Sequence, residues 1–356
     1  MLREHLIKEL QANLNHFNQA RTKCLALIVC SLLRHRTVNL TILATENLCG
    51  TKNESCYRRF QNFFLRSNLP LDGIASMVLK KLPCSKEGWT LAMDRTNWKH
   101  GKCHINILTV GVVVNKVAIP IAWKVLPQAT KRGNSNTKQR IGIMSEVLKL
   151  FPSQKIKVLT MDREFGSKLW LSWLNEQKVD FVVRIKSEVK INTIPAFHYR
   201  GTQNSKKMVS ALDLELFFAS KPITVNNRRD GHLDVLSNRF SGKEALELYR
   251  QRWAIEQLFS HLKKRGFDLE STHITDAAKL EKLFALVTLA FVYSFAWGAH
   301  LRTTQKQTKA MKRKSIFRQG LESILRLLNN PHLHQHEIDN FLHWLKTPKF
   351  TSIFVV

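Results

Sequence analysis

Acidic residues are scarce in this 356-residue chain: 27 Asp and Glu stand against 56 Lys and Arg, a formal charge of +29. A surface so basic attracts polyanions, because neutralising several phosphates supplies strong, salt-dependent affinity. Nucleic acid is the first expectation and an anionic membrane a distant second. A hydrophobic content of 44% and 9% aromatics argue against a disordered basic tail, since such tails lack core formers. Cysteine is sparse too. Cys24, Cys30, Cys49, Cys56, Cys84 and Cys103 form no CxxC pair and no dense framework, which points to reduced, buried thiols in the cytosol. His100, Cys103 and His104 lack a fourth ligand nearby, and a strand is expected from His104, so no zinc site is read there. No secretory leader is expected from MLREHLIKEL, which is charged throughout. The longest apolar run, 283–297, has 15 residues where about 20 are needed to span a bilayer; it is read as a core helix, with no membrane partner. GxGxxG, GxxxxGK[ST] and GxSxG are absent, leaving little support for a dinucleotide enzyme, an ATPase or a serine hydrolase. No internal repeat is evident.

Residues 1–85 read as an all-α region. Leu6, Leu10, Leu14 and Phe17 recur at helical spacing and a second apolar helix runs from Cys24 to Leu33. Asn39 caps a third and Ser55 a fourth, which carries Arg58 and Arg59. With Gly50 in the turn between them, the last two fit a helix-turn-helix, which inserts its second helix into the major groove. A bundle whose arginines face solvent fits equally well.

From Trp89 the period changes. TLAMD ends on Asp94; the β-branched runs 105–114 and 117–126, joined at Asn115-Lys116, read as a hairpin. GNSNTKQR opens a helix, IKVLTMD ends on Asp162, and a helix at 169–174 and a strand at 180–185 follow. This is the order of an RNase H-like α/β domain with a mixed five-stranded sheet, in two parts at 86–186 and 233–301. Residues 187–232 are polar and basic and read as a β-rich insertion, with a helix only at Ala211–Phe218; LDVLSN is a returning strand. A basic helical region, 302–356, closes the chain.

Ser241–Gly266 reads as one helix, capped by Ser241 with Glu244 and stopped by a left-handed Gly266. At about 100° per residue, Tyr249, Arg252, Glu256 and Lys263 fall within about 60° of one another. Asp94 and Asp162 close core strands, and Glu256 lies on a helix that packs beside them. Three carboxylates at the margin of a core need cations, and two Mg²⁺ ions, replaceable by Mn²⁺, suit an all-oxygen set. Arg offers phosphate a bidentate fork, Lys a point charge and Tyr a neutral donor. Trp253 is expected to pack, with base stacking as the alternative. Arg184, Lys186, Arg228 and Arg229 are candidates for tracking DNA, against the alternative that they are only solvated.

The spacing Tyr-x2-Arg-x3-Glu-x6-Lys resembles the YREK signature of IS4-family insertion-sequence transposases. DRTNWKHG (94–101), GNS with Arg140, and DREF (162–165) resemble further blocks of that family, and the likeness covers roughly residues 35–330. It implies a DDE transposase that cuts double-stranded DNA at the terminal inverted repeats of its element, often through a hairpin, and joins the 3′ ends to target DNA. Asp94, Asp162 and Glu256 would then be the catalytic metal ligands, and Tyr249, Arg252 and Lys263 would hold phosphates. A homodimer on DNA in the bacterial cytoplasm, at the nucleoid, is expected. Hairpin-forming relatives stabilise a flipped base with an aromatic of the insertion, often tryptophan; here no tryptophan lies between Trp173 and Trp253, and Phe197, Tyr199, Phe217 or Phe218 would have to substitute. The rival reading is a DNA-binding protein that has lost the reaction.

Overall fold

A computed structural model describes residues 2–14, 16–45, 50, 52–83, 85–127, 134–200, 207–225, 228–330 and 334–346. Helices α1 (Leu2–Asn13), α2 (Gln19–His35), α3 (Leu40–Leu43), α4 (Asn53–Arg66) and α5 (Leu71–Leu79) open the chain. The Asn39 side chain caps α3 as expected. At α4 the cap position is Lys52, not Ser55, and no side chain closes it.

The sheet begins with β1 (Trp89–His100), β2 (Cys103–Val114) and β3 (Val117–Val125). Asn115 and Lys116 both take positive φ (46° and 66°), the left-handed pair that a two-residue hairpin requires. Then come α6 (Thr137–Leu150), with a capping box of Asn136 and Gln139, β4 (Ile156–Met161), α7 (Lys168–Glu176) and β5 (Phe181–Arg184). Short β6 (Lys190–Ile191) and β7 (Ile194–Pro195) lead to β8 (Met208–Ala211), β9 (Leu214–Val225) and β10 (Arg228–Ser237).

The five expected strands are neighbours, but the sheet does not stop at five. It has ten strands, ordered β3-β2-β1-β4-β5-β10-β9-β8-β6-β7, so the β-rich insertion extends the sheet past β5. Its expected helix at Ala211–Phe218 is a hairpin. Leu212 and Asp213, at φ 55° and 56°, form the turn between β8 and β9, and the antiparallel pairing of these strands overrode the local helical spacing.

The expected single helix is two, α8 (Gly242–Arg250) and α9 (Trp253–Leu262). Between them Gln251, Arg252, Ala254 and Ile255 bond back three residues rather than four, which tightens the turn and breaks the shared face. Ser241 makes no side-chain cap, and positive φ belongs to Gly242 (50°), not Gly266. Gly266 is needed instead for space: a Cβ there would lie 2.1 Å from the His261 carbonyl oxygen. The first part of the second half closes the sheet's core, with α8 laying Leu246, Leu248 and Tyr249 on Val158, Val182 and Val235.

The last described elements are α10 (Ala277–Thr304), α11 (Lys309–Arg313), α12 (Ile316–Asn329) and α13 (Gln335–Lys346). At 28 residues α10 is long and apolar enough to cross a membrane, longer than the apolar run suggested, and 94% of its apolar window is buried. It is buried because α2, α4, α5 and α12 pack around it. Two compact units result: 1–83, 98–105 and 259–356, mainly helical, and 84–97 with 106–258, built on the sheet.

Candidate active site

In the sheet unit, Met93 pairs with Met161 in the parallel ladder of β1 and β4. The next residues therefore lie side by side: Asp162 follows β4 as expected, whereas Asp94 does not close its strand but sits inside β1, which runs on to His100. Alternation along a strand sends both carboxylates to the face that α8 covers, where Val158 and Val182 also point. Tyr249, in the last turn of α8, donates its hydroxyl to Asp162 Oδ1 at 3.2 Å, and Arg184 at the end of β5 sets Nη1 3.9 Å from the same oxygen. Arg252, in the turn before α9, donates from Nη1 to Asp94 Oδ2 at 3.0 Å and from Nη2 to Glu256 Oε1. Its guanidinium lies 5.7 Å from the centre of the Tyr249 ring. Asp94 Oδ1 accepts the backbone N–H of Arg95 at 2.7 Å. Asp94, Asp162, Arg184, Tyr249, Arg252 and Glu256 thus form one connected group drawn from four elements and two turns.

Burial dominates the electrostatics. It pushes the Asp94 carboxyl up to about 6 although Arg252 and the Arg95 N–H pull it down, and the neighbouring Asp162 and Glu164 push the same way as burial. It also holds the Tyr249 phenol protonated well above its ordinary range.

Lys263 follows α9 in the helical unit, where it pairs with Glu270 at 2.8 Å and lies 5.8 Å from the Trp98 ring. The four signature residues do not share one helical face, because the turn at Gln251–Arg252 intervenes. Trp253 is 57% exposed, so the expectation that it packs is corrected: the break in the helix leaves its ring in solvent. Lys186 is exposed beyond β5, and Arg58 and Arg59 are exposed on α4. The expected turn before α4 falls largely on residues 46–49 and 51, outside the described residues, as do the side chains of Arg228 and Arg229.

The donors suit a hard divalent cation in kind, since Asp94 in β1 and Asp162 just past β4 present carboxylate oxygens side by side. Among the described residues no three His, Cys, Asp or Glu side chains converge as a metal cluster; Arg252 stands between Asp94 and Glu256 as their shared countercharge. Such a group, two neighbouring aspartates with a glutamate and an arginine facing them, is suited to phosphate chemistry.

Residues 85–293, more than half of the chain, match the Transposase DDE domain family. The chain belongs to this family. Its function is that of a transposase, its partner is DNA, and enzymes with a transposase DDE domain work with divalent metal ions. The matched span includes Asp94, Asp162, Tyr249, Arg252, Glu256 and Lys263. No curated protein matches the chain.

Sequence reasoning gave no role to Arg95 or to Glu164. The signal was present in the alternation of β1, where a residue following one that faces α8 must face the other way, but not in any spacing motif.

Proposed function

We propose that this transposase belongs to the IS4 group and moves its element by cut-and-paste: it nicks double-stranded DNA at the terminal inverted repeats, releases the element, through a hairpin where base flipping allows, and joins the 3′ ends to target DNA. The observation that carries the reading is the contact of Arg252 with both Asp94 and Glu256, while Tyr249 of the same signature holds Asp162. Residues more than 150 positions apart in sequence come together as the YREK resemblance implies. The neighbour order β3-β2-β1-β4-β5 supports an RNase H-like core.

Asp94, Asp162 and Glu256 are the residues that would hold the divalent ions, with Mg²⁺ the expected metal and Mn²⁺ a substitute. When bound, such ions activate a water or 3′ hydroxyl and stabilise the leaving oxygen at phosphorus. The chain's own residues do the rest. Arg252 presents a fork that matches a phosphate as well as it matches the carboxylates it now serves. Tyr249, fixed by burial as a neutral phenol, orients Asp162 without adding charge. Arg184 and Lys186 continue the positive edge along a DNA strand, and Lys263 supplies a further phosphate contact. Trp253, with its ring exposed, is available to stack on a displaced base. Arg58 and Arg59 present a basic face of α4 to duplex DNA. Cleaving two ends in concert calls for a homodimer on DNA, and the place of action is the bacterial cytoplasm, at the nucleoid.

The test is strand cleavage of a labelled duplex carrying the element's terminal repeats, in Mg²⁺ and in Mn²⁺, with wild type and Glu256→Gln. Nicking at the element end that vanishes in the variant is the expected result. Salt-sensitive binding without cleavage in either metal would leave only a DNA-binding protein.

A further inference from the structure

The face of β1 opposite Asp94 carries a buried polar network that the chemistry above does not use. Arg95 points into it. Its Nε lies 3.0 Å from each carboxylate oxygen of Glu164 and its Nη2 lies 2.9 Å from Oε2, a two-pronged ion pair with only 9% and 15% of the two side chains exposed. The remaining donors of the fork are also fixed. Nη1 reaches Asn106 Oδ1 on β2 at 2.8 Å and Nη2 reaches Asn134 Oδ1 at 3.2 Å. Glu164 in turn accepts the Ser135 hydroxyl at 3.2 Å, and the Ser135 hydroxyl accepts Arg140 Nε at 2.9 Å. Arg140 lies 5.0 Å over the Phe165 ring, closing the network onto the turn that follows Asp162.

The two charged residues have telling positions. Arg95 is the residue after Asp94 and Glu164 is two residues after Asp162. Their ion pair therefore ties together the two backbone segments that bear the aspartates, just past the point where the β1–β4 ladder ends at Met93 and Met161. The Arg95 backbone also acts directly, through its N–H on Asp94 Oδ1. Two aspartates held side by side repel each other, and past Met93 and Met161 the direct pairing of β1 with β4 no longer ties their segments together. The clamp does, from the far face of the sheet. Because a guanidinium and a carboxylate meet in one plane, it fixes orientation as well as distance.

We propose that Arg95 and Glu164 are positioning residues that set the spacing of Asp94 and Asp162, and with it the affinity of that pair for a divalent ion, without touching metal or DNA. Residues supporting metal ligands from behind typically change metal affinity or activity about 10–100-fold when altered. The inference rests on the reading of Asp94 and Asp162 as metal ligands, and the experiment separates the two.

Mn²⁺ binding to the DNA-free full chain is titrated by electron paramagnetic resonance for wild type, Asp94→Asn, Glu164→Gln and Arg95→Lys, with melting temperature and metal-free DNA affinity measured alongside. Glu164→Gln keeps the shape and one acceptor but removes the charge; Arg95→Lys keeps the charge but removes the fork. The expected result is Mn²⁺ affinity lowered about 10–100-fold in Glu164→Gln and by a smaller factor in Arg95→Lys, with DNA affinity unchanged. Should Glu164→Gln fail to fold, Arg95→Lys carries the test alone. Wild-type Mn²⁺ affinity in a folded Glu164→Gln or Arg95→Lys, with Asp94→Asn impaired, would overturn the clamp. Wild-type affinity in Asp94→Asn would overturn the ligand reading on which it stands.

Discussion

Arg252 Nη1 lies 3.0 Å from Asp94 Oδ2 while Nη2 of the same guanidinium is bonded to Glu256, so one cation neutralises two carboxylates from opposite ends of the fold's catalytic span. Under the proposed function, phosphate and carboxylate compete for this single fork. Arg252→Gln removes the main influence that lowers the Asp94 pKa. The Asp94 carboxyl is expected to titrate above 6 in the variant, read from its side-chain ¹³C shift. At pH 8, where Asp94 is ionised, the variant is expected to bind Mn²⁺ more tightly than wild type in the absence of DNA and to cleave DNA at least about 10²-fold more slowly.

Asp94 also sets a pH dependence with a definite sign. Its folded pKa of about 6 is above the ordinary 3.8, so the folded state holds a proton that the unfolded state gives up. Stability therefore falls as pH rises from about 4 to about 6 and stays at the lower level above that. Under the proposed function activity runs the other way, since only the carboxylate would bind a cation. Cleavage is expected to drop below about pH 6. Asp94→Asn is expected to be inactive and to raise stability at pH 7.5 by roughly 1–3 kcal/mol, with little gain at pH 4, measured by urea melts at both values.

His261 gives the opposite slope. Its ring packs against Phe291 and Phe317, its Nδ1 has no hydrogen-bond partner among the described residues, and burial pushes its pKa down to about 4. The unfolded state takes up a proton first, so stability is lost as pH falls from about 6.5 toward 4. His261→Leu is expected to stabilise the protein more at pH 5 than at pH 8, with thermal melts as the check.

Helices α10 and α12 cross with backbone against backbone. A Cβ on Gly320 would lie 1.8 Å from the Ser294 carbonyl oxygen, and one on Gly298 would lie 2.0 Å from that of Ile316. Neither neighbour is a side-chain end that can swing away. Gly320→Ala is expected to cost about 3 kcal/mol or more, or to leave the protein insoluble, whereas Gly142→Ala, with nothing within 4 Å, is expected to be tolerated.

Of the four insertion aromatics considered for base stacking, Phe218 is buried against Tyr199, while Phe197 is 43% exposed. Phe197→Ala and Trp253→Ala are expected to reduce hairpin formation while sparing the first nick, read on the same labelled duplex. Tyr199→Phe is expected to change neither product.

The strand order was legible because each of 89–94, 105–114, 117–126 and 156–162 carries its own period and its own turn residues. The motif spacings likewise led to Asp94, Asp162, Arg252 and Glu256, which meet through side-chain contacts or adjacent strand register. The break at Gln251–Arg252 was not legible, since no Gly or Pro marks it; it lies where Tyr249 and Arg252 both reach tertiary partners, and local propensity gives way to such contacts. Nor was the hairpin at Leu212-Asp213, where a leucine takes φ 55° that glycine or asparagine ordinarily takes. The Arg95–Glu164 pair escaped for a different reason: its partners are 69 residues apart and only the β1–β4 register brings them together.

That register has a hereditary consequence. Asp94 and Arg95 face opposite sides of β1, so losing one codon within 89–93 would turn the carboxylate toward the clamp and the guanidinium toward the phosphates. Under the proposed function, an in-frame deletion of three nucleotides there would silence the copy as surely as a stop codon, while leaving a basic protein one residue shorter to compete with active copies for the same ends.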